Sequence, residues 1–257
     1  MTRKGTAALL GVALIALSPE PTAADGLFVG VTVVGAKYSA DYDKTVDNTL
    51  VNNTSRLFRG QQLHSNDSTN GITYDAGVLL GYRGSLGMLY YSVEADWMTH
   101  QGTISGQLEG AGSTPLRNQI GENWPDDWEL AKDKSYGITL RIGAAVPATG
   151  FGYVLAGVRG VEAGFSRSYT GCLLAGEICG PTQFQTGSDS FDENFTAFVL
   201  GVGMERSLAG VTVRGELRYV EHGRASQLVV FDDLGVQVPT SLEASEIGLG
   251  VSLIWTF

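Results

Sequence analysis

The chain has 257 residues, with 17 Lys and Arg against 27 Asp and Glu for a formal charge of −10, and it carries 35 glycines and ten tyrosines. So acidic a balance argues against nucleic acid as a partner, because phosphate binding needs a surplus of basic side chains. The mean hydropathy is +0.04, and no later stretch approaches the roughly 20 apolar residues of a membrane helix; strands with one apolar face, which leave no hydropathy peak, remain as the route across a bilayer.

Arg3 and Lys4, the apolar run Ala7 to Leu17 and the small residues Thr22-Ala23-Ala24 read as a secretory signal peptide over residues 1–24, cut before Asp25. Its apolar run is too short to span a bilayer as a helix. Residues 25–257 are expected to form one domain, since no Pro-rich linker, charge block or repeat marks a second.

The first strand pattern runs from Gly26 to Tyr42, with Leu27, Val29, Val31 and Val33 on one face and Gly30, Thr32, Ala36 and Tyr38 on the other. The second, Ile72 to Arg83, sets Ile72, Tyr74, Ala76, Val78, Leu80 and Tyr82 against Thr73, Asp75, Gly77, Gly81 and Arg83. After Gly84-Ser-Leu-Gly87, Leu89, Tyr91, Val93, Ala95 and Trp97 alternate with Tyr90, Ser92, Glu94, Asp96 and Met98. Tyr136, Ile138, Leu140, Ile142, Ala144 and Val146 then oppose Ser135, Gly137, Thr139, Arg141 and Gly143, up to a turn at Pro147-Ala-Thr-Gly150.

In the fifth pattern, Phe151 to Phe165, Arg159 is expected inward and Val154, Ala156 and Val158 outward, because a guanidinium facing lipid at mid-membrane costs about 2–4 kcal/mol. The same phase turns Glu162 outward, above the lipid. Phe198, Leu200, Val202 and Met204 oppose Ala197, Gly201, Gly203 and Glu205; after a turn at Ser207-Leu-Ala-Gly210, Val211, Val213, Gly215, Leu217 and Tyr219 oppose Thr212, Arg214, Glu216, Arg218 and His222. The last strand puts Ile247, Leu249, Val251, Leu253, Trp255 and Phe257 on one face, against Glu246, Gly248, Gly250, Ser252, Ile254 and Thr256.

Tight turns near 84–87, 147–150 and 207–210 alternate with long polar segments near 43–71, 101–134, 167–193 and 222–243. That asymmetry predicts an all-β fold: an eight-stranded antiparallel up-and-down transmembrane β-barrel with short periplasmic turns and long extracellular loops. Cys172 and Cys179, so close in a Gly-rich loop of an exported chain, predict a local disulfide; their spacing is not that of a CxxC redox motif.

With this strand pattern, this loop asymmetry and the terminal Trp255-Thr256-Phe257, the chain resembles the small eight-stranded outer-membrane barrels of Gram-negative bacteria. That group includes the transmembrane domain of outer-membrane protein A and the opacity-type surface proteins. The resemblance covers nearly all of residues 25–257. It implies a bacterial outer-membrane location among lipid and lipopolysaccharide, and insertion by the barrel-assembly machinery, which reads a terminal aromatic that Phe257 matches beside Trp255. A counterpart of the periplasmic peptidoglycan-binding domain of outer-membrane protein A is not expected.

An eight-stranded barrel is just wide enough for its own side chains, so inward charges must pair. Asp75, Glu94, Asp96, Glu205, Glu216 and Glu246 face Arg83, Arg141, Arg159, Arg214 and Arg218. Arg141, Arg214 and Arg218 are expected to converge on Glu216, with Glu205 and Glu94 close by, and Arg159 and Asp96 complete the network; its rival reading is a narrow conduction path or gate. His64 is expected in a loop, and His100 and His222 at a solvated rim. A Ser-His-acid set like that of the lipid A deacylases that the resemblance brings in would need a serine at matching depth, and none lies on the same strand as either histidine. Catalytic residues, metal and cofactor are therefore not expected, and the chain is read as a non-enzyme. Trp124 and Trp128, in a polar segment, either form a packing core or expose a contact patch for an extracellular partner.

The function read from the sequence is an integral outer-membrane barrel with a structural or surface-interaction role, its lumen plugged by charged side chains and its loops meeting a partner. The alternative is a small porin passing ions or minor solutes. A soluble ligand-binding barrel such as a lipocalin would need its apolar face inward, whereas Trp255 and Phe257 share a face that has no polar cover.

Overall fold

The computed structural model describes residues 25–51, 59–108, 126–146, 150–171, 185–232 and 235–257. Ten strands take up most of them: β1 (Gly26–Asp47), β2 (Gln62–Leu86), β3 (Leu89–Gln101), β4 (Thr103–Leu108), β5 (Asp126–Val146), β6 (Gly150–Gly171), β7 (Gln185–Leu208), β8 (Val211–His222), β9 (Ala225–Phe231) and β10 (Val236–Thr256). Every pairing is antiparallel, and β10 closes the ring on β1 from Phe28 opposite Thr256 to Asp47 opposite Gln237. β4 continues the line of β3 beyond Gly102, and β9 that of β8 beyond Gly223 and Arg224, so the ring has eight staves.

Near the tight-turn end the facing follows the period-two pattern of the sequence. Leu27 to Val33 on β1, Ile72 to Tyr82 on β2, Tyr136 to Ile142 on β5 and Ile247 to Trp255 on β10 send their alternate apolar side chains outward. Tyr74, Trp97, Tyr136, Phe198 and Tyr219 sit along the upper border of this band, and Tyr82, Trp255 and Phe257 along the lower one. Just above it the outward positions become Lys37, Asn70, Lys134, Glu162, Asn194, Glu221 and Glu243. A closed ladder with an apolar band about ten residues tall is what a bilayer accepts, because no backbone group is left unpaired against hydrocarbon.

The strands run on well past the band, and this corrects the expected loops. β1 and β2 pair as far as Asp47 opposite Gln62, β5 and β6 as far as Asp127 opposite Ser168, and β6 and β7 as far as Gly171 opposite Gln185. Much of 43–71, 101–134, 167–193 and 222–243 is therefore barrel wall. Beyond the lipid the apolar face swaps sides: Tyr42, Val46, Leu63, Ile104, Leu108, Trp128, Leu130 and Phe165 point inward and are buried, while Asp41, Asp127 and Glu129 point out. In water a barrel must hide its apolar residues inside, so the outward pattern that marks a lipid-facing strand disappears.

At the other end the connections are tight. Gly87 and Met88 join β2 to β3, with Gly87 at φ 64°, and Ala209 (φ 50°) with Gly210 (φ 88°) joins β7 to β8, as a two-residue hairpin requires. The third turn, 147–149, lies outside the described residues.

Candidate functional site in the barrel interior

The deepest inward positions in the band hold a row of alternating bases and acids drawn from five strands. Arg83 Nη1 donates to Glu205 Oε1 at 3.0 Å, and Arg214 Nε to Glu205 Oε2 at 3.1 Å. Arg214 Nη1 also donates to Glu94, whose Oε1 accepts from Arg141 Nη2 at 2.8 Å. Arg141 Nε reaches Glu216 Oε1 at 2.7 Å, where Tyr153 Oη also donates at 2.8 Å, and Arg218 Nε donates to Glu216 Oε2 at 2.9 Å. The row reads Arg83, Glu205, Arg214, Glu94, Arg141, Glu216, Arg218, and all seven are buried. Glu216 receives Arg141 and Arg218, whereas Arg214 goes to Glu94 and Glu205 instead of Glu216. Two carboxylates, one on β3 and one on β7, lie closer to it.

Arg159 and Asp96 stand apart from this row. Arg159 Nη2 donates to Asp96 Oδ1 at 2.5 Å, and its Nη1 lies 3.3 Å from Ser135 Oγ and 3.1 Å from Met98 Sδ. No bond joins this pair to the seven-member row among the described residues.

Toward the loop end lies a second cluster. His100 Nε2 is 2.8 Å from Ser135 Oγ, and its Nδ1 is 2.7 Å from Asp75 Oδ1, a contact of ion-pair length without hydrogen-bond alignment. Lys132 Nζ lies 3.5 Å from Asp75 Oδ2 and pairs closely with Glu246, and His222 Nε2 lies 3.9 Å from that same Glu246 carboxylate. The Tyr38 ring packs edge-on to His222 at 5.4 Å and sits 5.0 Å beneath the Lys132 ammonium. His100 and His222 are thus not solvated rim residues: the continuing strands enclose them. His64 lies on the outer face of β2, 3.2 Å from Thr45 Oγ1.

Two members of this cluster escape a sequence reading. Lys132 faces inward because the β5–β6 register slips between Lys132 and Lys134, a bulge that offsets the even phase of Trp128 and Leu130 from the odd phase of Ser135 and Arg141. Ser135 comes not from the strand of His100 but from its neighbour, opposite Met98, two residues from His100. Asp75, His100 and Ser135 carry the acid, base and hydroxyl of a nucleophilic serine, yet Ser135 has no exposed surface and Leu130, Trp128 and Phe165 are buried above it.

Of the two alternatives for Trp128, the structure shows the packing core and not the contact patch. The indole is buried inside the wall, stacked on Phe165 at 6.1 Å and tilted against Tyr42 at 5.7 Å, with Nε1 donating to Asp67 Oδ2 at 2.9 Å. Trp124, Cys172 and Cys179 lie outside the described residues. Trp255 faces outward at the tight-turn end, and the exposed Phe257 donates its backbone N–H to Leu27 O at 2.9 Å. Among the described residues no group of three or more His, Cys, Asp and Glu is placed to hold a metal ion.

Neither a family model nor a curated protein matches the chain. Among solved structures it is similar to the outer membrane protease OmpT of Escherichia coli, with a TM-score of 0.45 and 9% identity over 91% of this chain and 97% of that one. It is also similar to the attachment invasion locus protein Ail of Yersinia pestis (TM-score 0.25, 13% identity, 85% of this chain and 98% of that one). A FadL homologue of Pseudomonas aeruginosa gives a TM-score of 0.26 at 9% identity, over 91% of each chain. The architecture is that of an outer-membrane β-barrel. What establishes it is the ring closure of β1 on β10, the even number of staves and the apolar band, all properties of this chain's own pairing.

Proposed function

We propose that the chain is an integral protein of the bacterial outer membrane, exported by a signal peptide over residues 1–24, with a plugged lumen and a surface-interaction role. Its tight turns, the start of β1 and the end of β10 face the periplasm, and the continuing strands and long connections face outward among lipopolysaccharide. Phe257 and Trp255 serve as the signal for the barrel-assembly machinery, and the Cys172–Cys179 pair staples the third long connection. The chain is not an enzyme in this reading, because the hydroxyl of Ser135 has no approach for a substrate carbonyl.

The observation that supports a plug is the seven-member row from Arg83 to Arg218, overlaid by the aromatic core of Tyr42, Trp128 and Phe165. Charges paired in direct contact leave an ion nothing to replace its hydration shell, so permeation costs the pairs themselves. The test is the conductance of the purified protein in a planar bilayer: silence or brief flickers are expected. A large, steady conductance overturns the plug and makes the protein a small porin.

A further inference from the structure

The last rung between β7 and β8 sets Ala197 opposite His222, and above it the wall divides. Among the described residues β7 continues to Gln185 paired with β6 alone, and β9 continues to Phe231 paired with β10 alone. Had the β7–β8 register run on, Asn194 would face Ala225 and Ser188 would face Phe231. Across Gly223 and Arg224 the register against β10 slips by one residue, from Glu221 opposite Ser245 to Ala225 opposite Leu242, a bulge that turns β9 away from β7.

The other interrupted stave stays shut. Thr69 Oγ1 donates to Ser105 O at 3.0 Å, which ties β2 to β4 without a ladder, and Trp128 Nε1 reaches from β5 past Gly106 of β4 to Asp67 of β2. Above the lipid the barrel is therefore two four-stranded sheets, β9-β10-β1-β2 and β4-β5-β6-β7, joined along β2 and β4 and parted along β7 and β9.

A strand edge presents backbone N–H and C=O groups that another strand satisfies best, and natural sheets block such edges with Lys, Pro or a covering segment. From Thr186 to Thr196 β7 has neither Lys nor Pro, and Ser226 to Phe231 of β9 has no charge and no Pro. Phe191 and Val229 border the gap on the interior side, both half-buried, and the nearby charges on β7 are Asp189, Asp192 and Glu193.

We propose that the gap between β7 and β9 is a docking site for an extended segment of a partner polypeptide, which adds to the wall as a strand. Backbone pairing supplies the affinity. Side-chain alternation and charge supply the selectivity: apolar residues toward Phe191 and Val229, and basic residues outward beside Asp192. This rests on the reading that the end with the continuing strands faces away from the cell.

The experiment uses the full barrel in detergent micelles and a fluorescent ten-residue peptide alternating valine with lysine. A second peptide of the same length and charge, with two valines replaced by proline, reports charge attraction alone. Anisotropy should show at least tenfold tighter binding of the alternating peptide, and amide hydrogen exchange should slow across 186–196. Asp192→Lys and Val229→Lys should each weaken binding tenfold or more while heat-modifiable gel mobility is kept. Equal binding of both peptides, no binding, or unchanged exchange across 186–196 overturns the proposal, and so does a stable dimer at micromolar concentration, which would make a second copy the occupant. None of these outcomes bears on the plug, which the bilayer conductance tests separately.

Discussion

Ser135 Oγ and His100 Nε2 meet at 2.8 Å across the boundary between β5 and β3, both buried within the barrel wall. A hydroxyl beside an imidazole invites a catalytic reading, and the enclosure decides against it. The folded protein should not react with a fluorophosphonate probe at Ser135. Labelling that disappears in Ser135→Ala and in His100→Gln would make the protein a hydrolase.

The same pair has a structural test. Ser135→Ala takes a partner from His100 and from Arg159, each a buried donor or acceptor left short, at a cost of about 1–3 kcal/mol. The midpoint of urea unfolding in detergent should fall accordingly, with no change in conductance. A midpoint within error of the wild type would mean that water already serves these groups.

Glu216 holds Arg141, Arg218 and the Tyr153 hydroxyl at once. Glu216→Ala leaves two buried guanidiniums short of a partner, at a cost of about 3–5 kcal/mol. They should draw in water and anions, so the unfolding midpoint should drop and an anion-selective leak should appear in a planar bilayer. A variant as stable and as silent as the wild type would remove the row from the account of the plug.

Along the outer face of β7 the border of the lipid lies between Phe198 and Asn194. Val202→Arg should cost about 2–4 kcal/mol, measured by reversible folding into lipid vesicles. Asn194→Arg, on the same face beyond the band, should stay within about 0.5 kcal/mol of the wild type. Equal costs at the two positions would mean that the band is misplaced.

Deleting Phe257 removes one backbone hydrogen bond to Leu27 and one exposed aromatic. Folding into detergent should be nearly unaffected, whereas the yield of heat-modifiable barrel in cells should fall severalfold. Loss in both settings would reassign Phe257 from assembly signal to structural residue, and loss in neither would dismiss both roles.

The facing of each strand inside the band was readable because lipid outside and charge inside enforce the period of two, as with Val154, Ala156 and Val158 against Arg159. Above the band both faces border either water or packed side chains. There Trp128 and Leu130 alternate with Asp127 and Glu129 in the opposite sense, which reads as an amphiphilic loop. The bulge between Lys132 and Lys134 then hides Lys132 from any fixed-phase count. The residue types of the inward charges are legible in the sequence, but their partners are not: Arg214 on β8 reaches across the lumen to Glu94 on β3, the stave opposite it in the ring. Ser135 and His100 were separable in the sequence only by searching across strands, not along one.

The length of β1 sets how far from the bilayer the protein operates. From Lys37, where the apolar band ends, to Asp47 the strand climbs about ten residues, at about 3.3 Å each and a tilt of about 40°. The far ends of β1 and β2 therefore stand on the order of 25 Å above the hydrocarbon. At that stand-off the wall is a rigid pedestal, and whatever touches its far end does so without approaching the headgroups.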